Sequence, residues 1–309
     1  MKEIKDAFGP LWELYSKSSV SEIIVDSIDD IYYEESGKIH NCKGRVFSSD
    51  EEIVQTINKL IEYSGRKLKE GQYSMNFVVD ETTNIMVVLP PLSIKGPILN
   101  LTKIPNQSFG WSEYLKFGAI EESGKKLIED LLKDSKSFLV AGPVGSGKTT
   151  LLNMLVDTID KEQRVVTIEK MANLVTNRKR VARLQTENNK AEELIELVDA
   201  ARSMRADYVI LNDIQGPETM PFLSLLHEGH SGMALIGAEN VFDALRRLEL
   251  KALSSDFTGT IEDIRYAISS AFDYVIFQEK CEDGKRRVTR VGKIICDGNR
   301  LNLDIVYKV

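Results

Sequence analysis

Gly142, Gly147, Lys148 and Thr149 stand at the spacing G-x-x-x-x-G-K-[ST], the arrangement of a loop that wraps a polyphosphate. Gly142, Gly145 and Gly147 let the backbone curl and turn its N–H groups inward. The start of the following helix adds a partial positive charge at the same place. Lys148 would reach the β- and γ-phosphates as a point charge, and the Thr149 hydroxyl would hold Mg²⁺ between them. Ser146 completes the loop, and Thr150 plays a supporting part. Two acids stand where they could serve such a site. Glu169 ends the apolar run Val165 to Ile168, so its carboxylate could orient water or Mg²⁺. Asp213 follows the run Tyr208 to Leu211, where an acid commonly meets Mg²⁺ or its water. His230 comes two residues after Glu228 and three after His227, which is not the i, i+4 pair of a zinc helix.

The elements that must position these residues follow from periodicity. Phe138 to Ala141 predicts the strand before the loop, and Thr149 to Val156 the helix after it. Strands are then expected at Arg164 to Ile168, Tyr208 to Leu211 and Met233 to Ile236. Helices are expected at Ala191 to Met204, Glu218 to Leu226, Phe242 to Leu253 and Ile261 to Ala271, the last capped by Thr260. This alternation implies a parallel sheet with crossover helices. Three strands close the chain, at Tyr274 to Gln278, Arg287 to Ile295 and Leu301 to Tyr307, the last two joined by an Asp297-Gly298-Asn299 turn.

The part before the loop reads as a small α+β unit. It has a docking helix within residues 1–20 and short strands near residues 22–25, 31–35 and 38–40, with Ser36-Gly37 as a turn. A helix at Ser49 to Tyr63 is capped by Ser49 or Asp50, and further strands follow at Tyr73 to Val79, Ile85 to Leu89 and Ile98 to Lys103. Turn-forming residues cluster from Pro105 to Gly110, which places a domain boundary near residue 107. The expected organisation is an N-terminal α+β domain over 1–107, a linker over 108–120 with a short helix at Ser112 to Phe117, and a second domain over 121–309 opening with a helix at Glu121 to Leu132.

Composition narrows the class. At 309 residues the chain is long enough for two cores, and 42% hydrophobic with 28% charged residues describes a folded protein. No stretch approaches the roughly 18 apolar residues of a membrane span, and the N-terminus lacks the apolar core of a signal peptide, so a cytoplasmic location is expected. Cys42, Cys281 and Cys296 are odd in number and far apart, and read as reduced thiols. A net charge of −7 argues against broad nucleic-acid binding. Arg178-Lys-Arg180 with Arg183 is a local basic exception, either a solvated loop or a partner patch.

A phosphate loop alone fits kinases, GTPases, helicases and motors alike, so other phrases must choose. Val20-Ser-Glu-Ile-Ile-Val, Val88-Leu-Pro-Pro-Leu-Ser93 with Gly96-Pro97, Val165-Val-Thr-Ile-Glu169, Met204-Arg-Ala-Asp207, Gly229-His-Ser-Gly232 and Ala244-Leu-Arg-Arg-Leu-Glu249 occur in that order. Together they resemble the type II/type IV secretion ATPase superfamily, and within it the branch serving tight-adherence pili. The resemblance implies a RecA-like P-loop domain behind the α+β domain, binding of ATP with Mg²⁺, and assembly into a hexamer, of identical chains or mixed with a paralogue. It implies a polytopic inner-membrane platform protein as partner, no nucleic acid, and a peripheral position at the inner face of the cell membrane. His230 falls in the histidine box, with a nucleotide-sensing or subunit-contact role.

Departures from the family pattern share one direction. Family arginines of the N-terminal domain fall at Asn84 and Thr102, the acid after Glu169 is Lys170, and the glutamate after Leu184 is Gln185. The Walker B glutamate is Asp213, the arginine of that phrase is Gln215, and a second histidine is Gly237. The phosphate cradle is kept while groups that act on the transition state are thinned. Two functions are therefore expected to compete: a slow ATPase motor, and a degenerate paralogue that holds ATP as a structural or regulatory subunit. A nucleic-acid motor on the same core is disfavoured by the acidic charge.

Overall fold

The computed structural model describes residues 2–35, 38–79, 82–104, 109–187, 190–297 and 300–309. The chain divides into two compact units, Met1–Asn106 and Gln107–Val309. The expected turn at Ser36-Gly37, Gly298-Asn299 of the Asp297-Gly298-Asn299 turn, and residues 105–108 of the turn-rich stretch with the boundary near residue 107 and the first residue of the linker, lie outside the described residues.

The first unit opens with α1 (Lys2–Phe8), a 3-10 turn (Gly9–Leu11) and α2 (Trp12–Tyr15), where Phe8 stacks on Tyr15 with ring centroids 3.7 Å apart. There follow β1 (Val20–Ser27), β2 (Asp30–Glu35), β3 (Lys38–Asn41), α3 (Asp50–Tyr63), β4 (Ser74–Val78), β5 (Thr83–Val88) and β6 (Ile98–Lys103). The six strands form one antiparallel sheet in the order β3-β2-β1-β6-β5-β4. Alternate residues Ile23, Val25, Ile85, Val87, Leu99 and Leu101 share its buried face. Against them packs the apolar stripe of α3, Ile53, Ile57, Leu60 and Ile61. Ser49 rather than Asp50 caps α3, its hydroxyl accepting from the Glu52 N–H at 3.3 Å.

The second unit contains α4 (Trp111–Lys116), α5 (Glu122–Lys133), β7 (Phe138–Gly142), α6 (Lys148–Thr158), β8 (Val165–Glu169), β9 (Val181–Gln185), α7 (Glu193–Arg202), β10 (Tyr208–Asn212) and α8 (Thr219–His227). It continues through β11 (Ser231–Gly237), α9 (Val241–Leu253), α10 (Ile261–Ala271), β12 (Tyr274–Lys280), β13 (Arg286–Asp297) and β14 (Arg300–Lys308). Its eight strands run in the order β14-β13-β12-β7-β11-β10-β8-β9. From β12 to β9 all neighbours are parallel, while β13 and β14 extend the sheet as antiparallel strands. The central parallel strands β7, β8 and β10 are buried on both faces, while β9 at the edge is only half-buried. Leu139, Ala141, Val209 and Leu211 join one core with α7 to α10, and Phe138, Val140, Tyr208 and Ile210 join the other with α5 and α6. Thr260 caps α10 in a reciprocal box with Asp263.

One strand was not legible in the periodicity. Val-Ala-Arg-Leu-Gln at 181–185 has neither a β-branched run nor clean alternation, and β9 exists because it pairs along the whole of β8. Part of the basic run before it is taken up by the fold. Arg178 spreads its guanidinium over the end of α6, donating to the carbonyls of Val156 (3.3 Å), Asp160 (2.6 Å), Gln163 (2.7 Å) and Ile159. At Val156 and Ile159 it thereby caps carbonyls that the helix leaves without partners, and at Asp160 and Gln163 it ties down the chain that follows. Arg180 pairs with Glu162 at 3.0 Å, and Arg183 with Glu169 at 3.1 Å. Arg178 and Arg183 are thus engaged by the fold, while Lys179 and Arg180 stay exposed as a solvated stretch.

Arg178→Ala removes a charged donor from four carbonyls and is expected to lower stability by about 1.5–3 kcal/mol. Urea unfolding measures it. An unchanged midpoint would mean that water replaces the guanidinium at no cost.

Candidate functional site

The phosphate loop leaves β7 and enters α6 as the spacing requires. Gly142, Gly145 and Gly147 have φ of 157°, 75° and 91°. At Gly142 the reason is a close approach, because a Cβ there would lie 2.0 Å from the Gln278 carbonyl oxygen on β12. At Gly145 a Cβ would meet nothing within 4 Å, and it is the left-handed backbone that favours glycine. The first helical bond of α6 runs from the Leu151 N–H to the Gly147 carbonyl, so the N–H groups of Lys148, Thr149 and Thr150 have no intrahelical acceptor. They point out of the helix start beside the loop. Lys148 Nζ reaches across the loop to donate to the Pro143 carbonyl at 2.8 Å. Burial holds its pKa below the ordinary lysine value, and the charge of Asp213 works against that shift.

Asp213 lies one residue past the end of β10, in the left-handed region with φ of 78°. The residue as a whole is exposed, yet protein atoms crowd its carboxyl group. That crowding raises its pKa, opposed by Lys251, Lys148, Gln215 and Lys170. Gln215 Nε2 donates to its Oδ2 at 2.6 Å, and Lys251 Nζ fixes the Gln215 carbonyl at 2.7 Å. The buried Glu218 closes the same turn by accepting the N–H groups of Gln215 (2.5 Å) and Gly216 (3.2 Å). Only β11 separates β10 from β7, so the Asp213 backbone stands about 10 Å from the loop strand, two sheet spacings away. Gly237 ends the strand between them, in register with Gly142. A Cβ on Gly237 would meet nothing within 4 Å. With Asp213, Gln215, Arg247, Lys251 and Ser254 it lines a groove of about 640 Å³.

Glu169 and His230 are not brought against the loop. Chain order puts Glu169 next after α6, but β8 crosses to the far side of β10 and lies three strands from β7, about 14 Å across the sheet. The Glu169 carboxylate is fully buried and engaged. It accepts from the N–H groups of Asn173 and Leu174, both at 2.8 Å, from the Thr167 hydroxyl at 3.0 Å and from Arg183 Nε at 3.2 Å. Asn173 in turn accepts from the side chain of Asn212, the residue before Asp213. His230 precedes β11, whose far end, Gly237, is the one beside the loop. The six residue steps between Ser231 and Gly237 put the histidine about 20 Å from the phosphate cradle. There its Nδ1 contacts the Ala206 carbonyl at 2.8 Å. Among the described residues, no group of three or more His, Cys, Asp or Glu is placed to hold a metal ion.

Sequence spacing missed the residues that hold the loop from the side. Gln278 Nε2 donates to the Ser146 carbonyl at 2.8 Å, and Arg286 Nε donates to the Gly145 carbonyl at 2.8 Å. Tyr114 of α4 hydrogen-bonds Gln278, although burial still drives its phenol far above the ordinary range. No local signal marks these three. Gln278 and Arg286 meet the loop only because β12 pairs with β7 in the folded sheet, and Tyr114 bears on it only through Gln278.

Gly142→Ala is expected to cost about 3 kcal/mol or more, since overpacking must push β12 from β7. Gly145→Ala should cost about 1–2 kcal/mol from backbone conformation alone. Urea unfolding separates the two, and equal midpoints would show that the Gln278 carbonyl yields freely.

The model of the type II/IV secretion system protein family matches residues 5–297 of this chain. The type IV secretion system protein PtlH of Bordetella pertussis (strain Tohama I) is 32% identical over 308 residues, covering 89% of this chain and 91% of PtlH. The type IV secretion system protein VirB11 of Bartonella henselae is 29% identical over 281 residues, covering 78% of this chain and 79% of VirB11. Among solved structures, the pilus retraction motor PilT with bound ADP shares the fold with a TM-score of 0.64 at 18% identity, covering 99% of this chain and 82% of PilT. The superfamily expected from the ordered sequence phrases is therefore the one found, and the chain belongs to the type II/IV secretion system protein family.

Proposed function

We propose that this chain is an ATP-binding motor subunit of a type II/IV secretion or pilus assembly system, which hydrolyses ATP slowly to drive assembly or export. The observation that carries the reading is the placement of Lys148 and Asp213. They sit on the same edge of the parallel sheet, where ligands of such sheets bind, and are near enough to feel each other's charge. In this reading Gly142, Gly145, Ser146, Gly147, Lys148, Thr149 and Thr150 cradle the phosphates. The Thr149 hydroxyl and the Asp213 carboxylate hold Mg²⁺, which would neutralise charge on the β- and γ-phosphates when bound. Lys148 would exchange the Pro143 carbonyl for phosphate oxygens, a change from a neutral acceptor to a charged one.

Glu169 acts as a positioning residue here. Its bonds to Asn173 and Leu174 fix the turn that steadies Asn212, and through it Asp213. His230, at the opposite end of β11, is assigned to subunit contact. The relatives are named as type IV secretion system proteins, which supports a place in such a system; a ring of six copies, or a mixed ring with a paralogue, working on a membrane platform protein from the cytoplasmic face, is what the sequence resemblance implies. The narrower likeness to tight-adherence pilus ATPases rests on the sequence phrases alone. Among the described residues no helix is long and apolar enough to cross a membrane.

A second reading, a subunit that holds ATP without turning it over, is favoured by one observation. Every oxygen of Glu169 is already committed to protein donors, which leaves Asp213 as the carboxylate open to a water molecule. Binding and turnover are separable, because only interactions that strengthen in the transition state raise the rate.

ATP binding and steady-state phosphate release, each repeated with Lys148→Ala, test both readings. The variant is expected to bind ATP at least about tenfold more weakly, the loss of one charged hydrogen bond, and to release no phosphate above background. Turnover in the parent that survives Lys148→Ala would overturn the assignment. Tight binding in the parent without turnover, even after assembly, would select the second reading.

A further inference from the structure

The hairpin between β12 and β13 carries two adjacent arginines with different fates. Arg287 is tied down, its Nη atoms donating to Asp283 at 2.9 and 2.5 Å and its Nε to the Gly118 carbonyl at 3.1 Å. Arg286, on the opposite side of the strand, meets no carboxylate among the described residues. Its Nε donates to the Gly145 carbonyl at 2.8 Å, and its Cδ lies 3.1 Å from where a Cβ on Gly147 would stand. The stem therefore runs along the phosphate loop from Gly147 to Gly145, and the exposed side chain ends at the loop, its Nη groups without an acceptor among the described residues. A second strand residue marks the same side of the loop. Gln278, 2% exposed, gives its amide N–H to Ser146 while its Oε1 has no hydrogen-bond partner, and the hydroxyl of Ser146, 1% exposed, has none either.

We propose that Arg286 is a further ligand-binding residue of this cradle, contacting the polyphosphate of a bound nucleotide alongside Lys148. The inference rests on the nucleotide-binding reading above and deepens it. A guanidinium left without an acid beside a loop of inward N–H groups concentrates positive charge that only an anion can neutralise. With its Nε pinned to a backbone carbonyl, the planar fork is already oriented, so little rotamer freedom is lost when it grips phosphate oxygens. The Gly145 carbonyl thus sets the position of the arginine, and the arginine in turn steadies the loop.

Calorimetric titrations of the full chain with a non-hydrolysable ATP analogue, ADP and AMP would compare the parent with Arg286→Gln, Arg286→Lys and Lys148→Ala. Glutamine retains a donor for the Gly145 carbonyl while removing the charge, and the unfolding midpoint verifies that the variant is folded. Arg286→Gln is expected to weaken the ATP analogue and ADP about tenfold while leaving AMP within twofold, and Arg286→Lys to recover part of the loss. Unchanged ADP and ATP-analogue affinity in Arg286→Gln would overturn the proposal. So would an equal loss for all three ligands, which would assign Arg286 to the base, the sugar or loop stiffness. A parent that binds none of the three, with Lys148→Ala indistinguishable from it, would overturn the nucleotide reading and the Arg286 proposal together.

Discussion

The Gln278 carbonyl stands so near Gly142 that a Cβ there would lie 2.0 Å from it, and the geometry of the site depends on that approach. A parallel pair of strands normally carries side chains on both faces, but where β12 passes the mouth of the loop there is no room for even a methyl group. That approach lets Gln278 and, through the hairpin, Arg286 hold the loop from outside, while α6 holds it from within. The loop is gripped between two strands and a helix rather than carried as a free turn. Its backbone amides are consequently oriented before any ligand arrives, which is how a polar site gains strength without reorganising.

The chemistry of the site is divided unequally along the sheet edge. Cationic groups gather toward Asp213, with Lys148, Lys170 and Lys251 all close enough to bear on its charge. The other acid, Glu169, is withdrawn into the protein and neutralised there by Arg183 and two backbone amides. A buried carboxylate without such partners would be far too costly to keep ionised. The surroundings of Asp213 therefore decide how an anionic ligand and a divalent cation would share the groove, with Glu169 acting only through the turn it supports.

Much of this was legible in the sequence because short-range rules govern it. The loop, the caps at Ser49 and Thr260, and the buried strands at 138–142 and 208–212 depend on neighbours within a few residues, and spacing revealed them. The strand β9, the burial of Arg178 and the contacts of Gln278 and Arg286 depend on which strands become neighbours, and no local pattern encodes that. Glu169 is the instructive case. Its type and its position at a strand end were read from the sequence, but a crossover connection set it three strands from the loop and supplied its donors from residues 173, 174 and 183. His230 shows the same limit, since a residue at the start of a strand and one at its end belong to opposite edges of the sheet.

The donor shell around Glu169 also bears on how loss-of-function data should be interpreted. An amide at this position would turn one of its oxygens into an N–H pointed at other N–H groups, and alanine would leave the Asn173 and Leu174 N–H groups without their acceptor and Arg183 without its ion-pair partner. Any replacement would therefore loosen the 170–174 turn. A saturation screen for secretion or pilus assembly would score residue 169 as intolerant whether or not its carboxylate ever meets a reacting atom. Intolerance at Glu169 reports on architecture first, and only substitutions where a carboxylate oxygen keeps no protein donor among the described residues, as at Asp213 Oδ1, can report on chemistry.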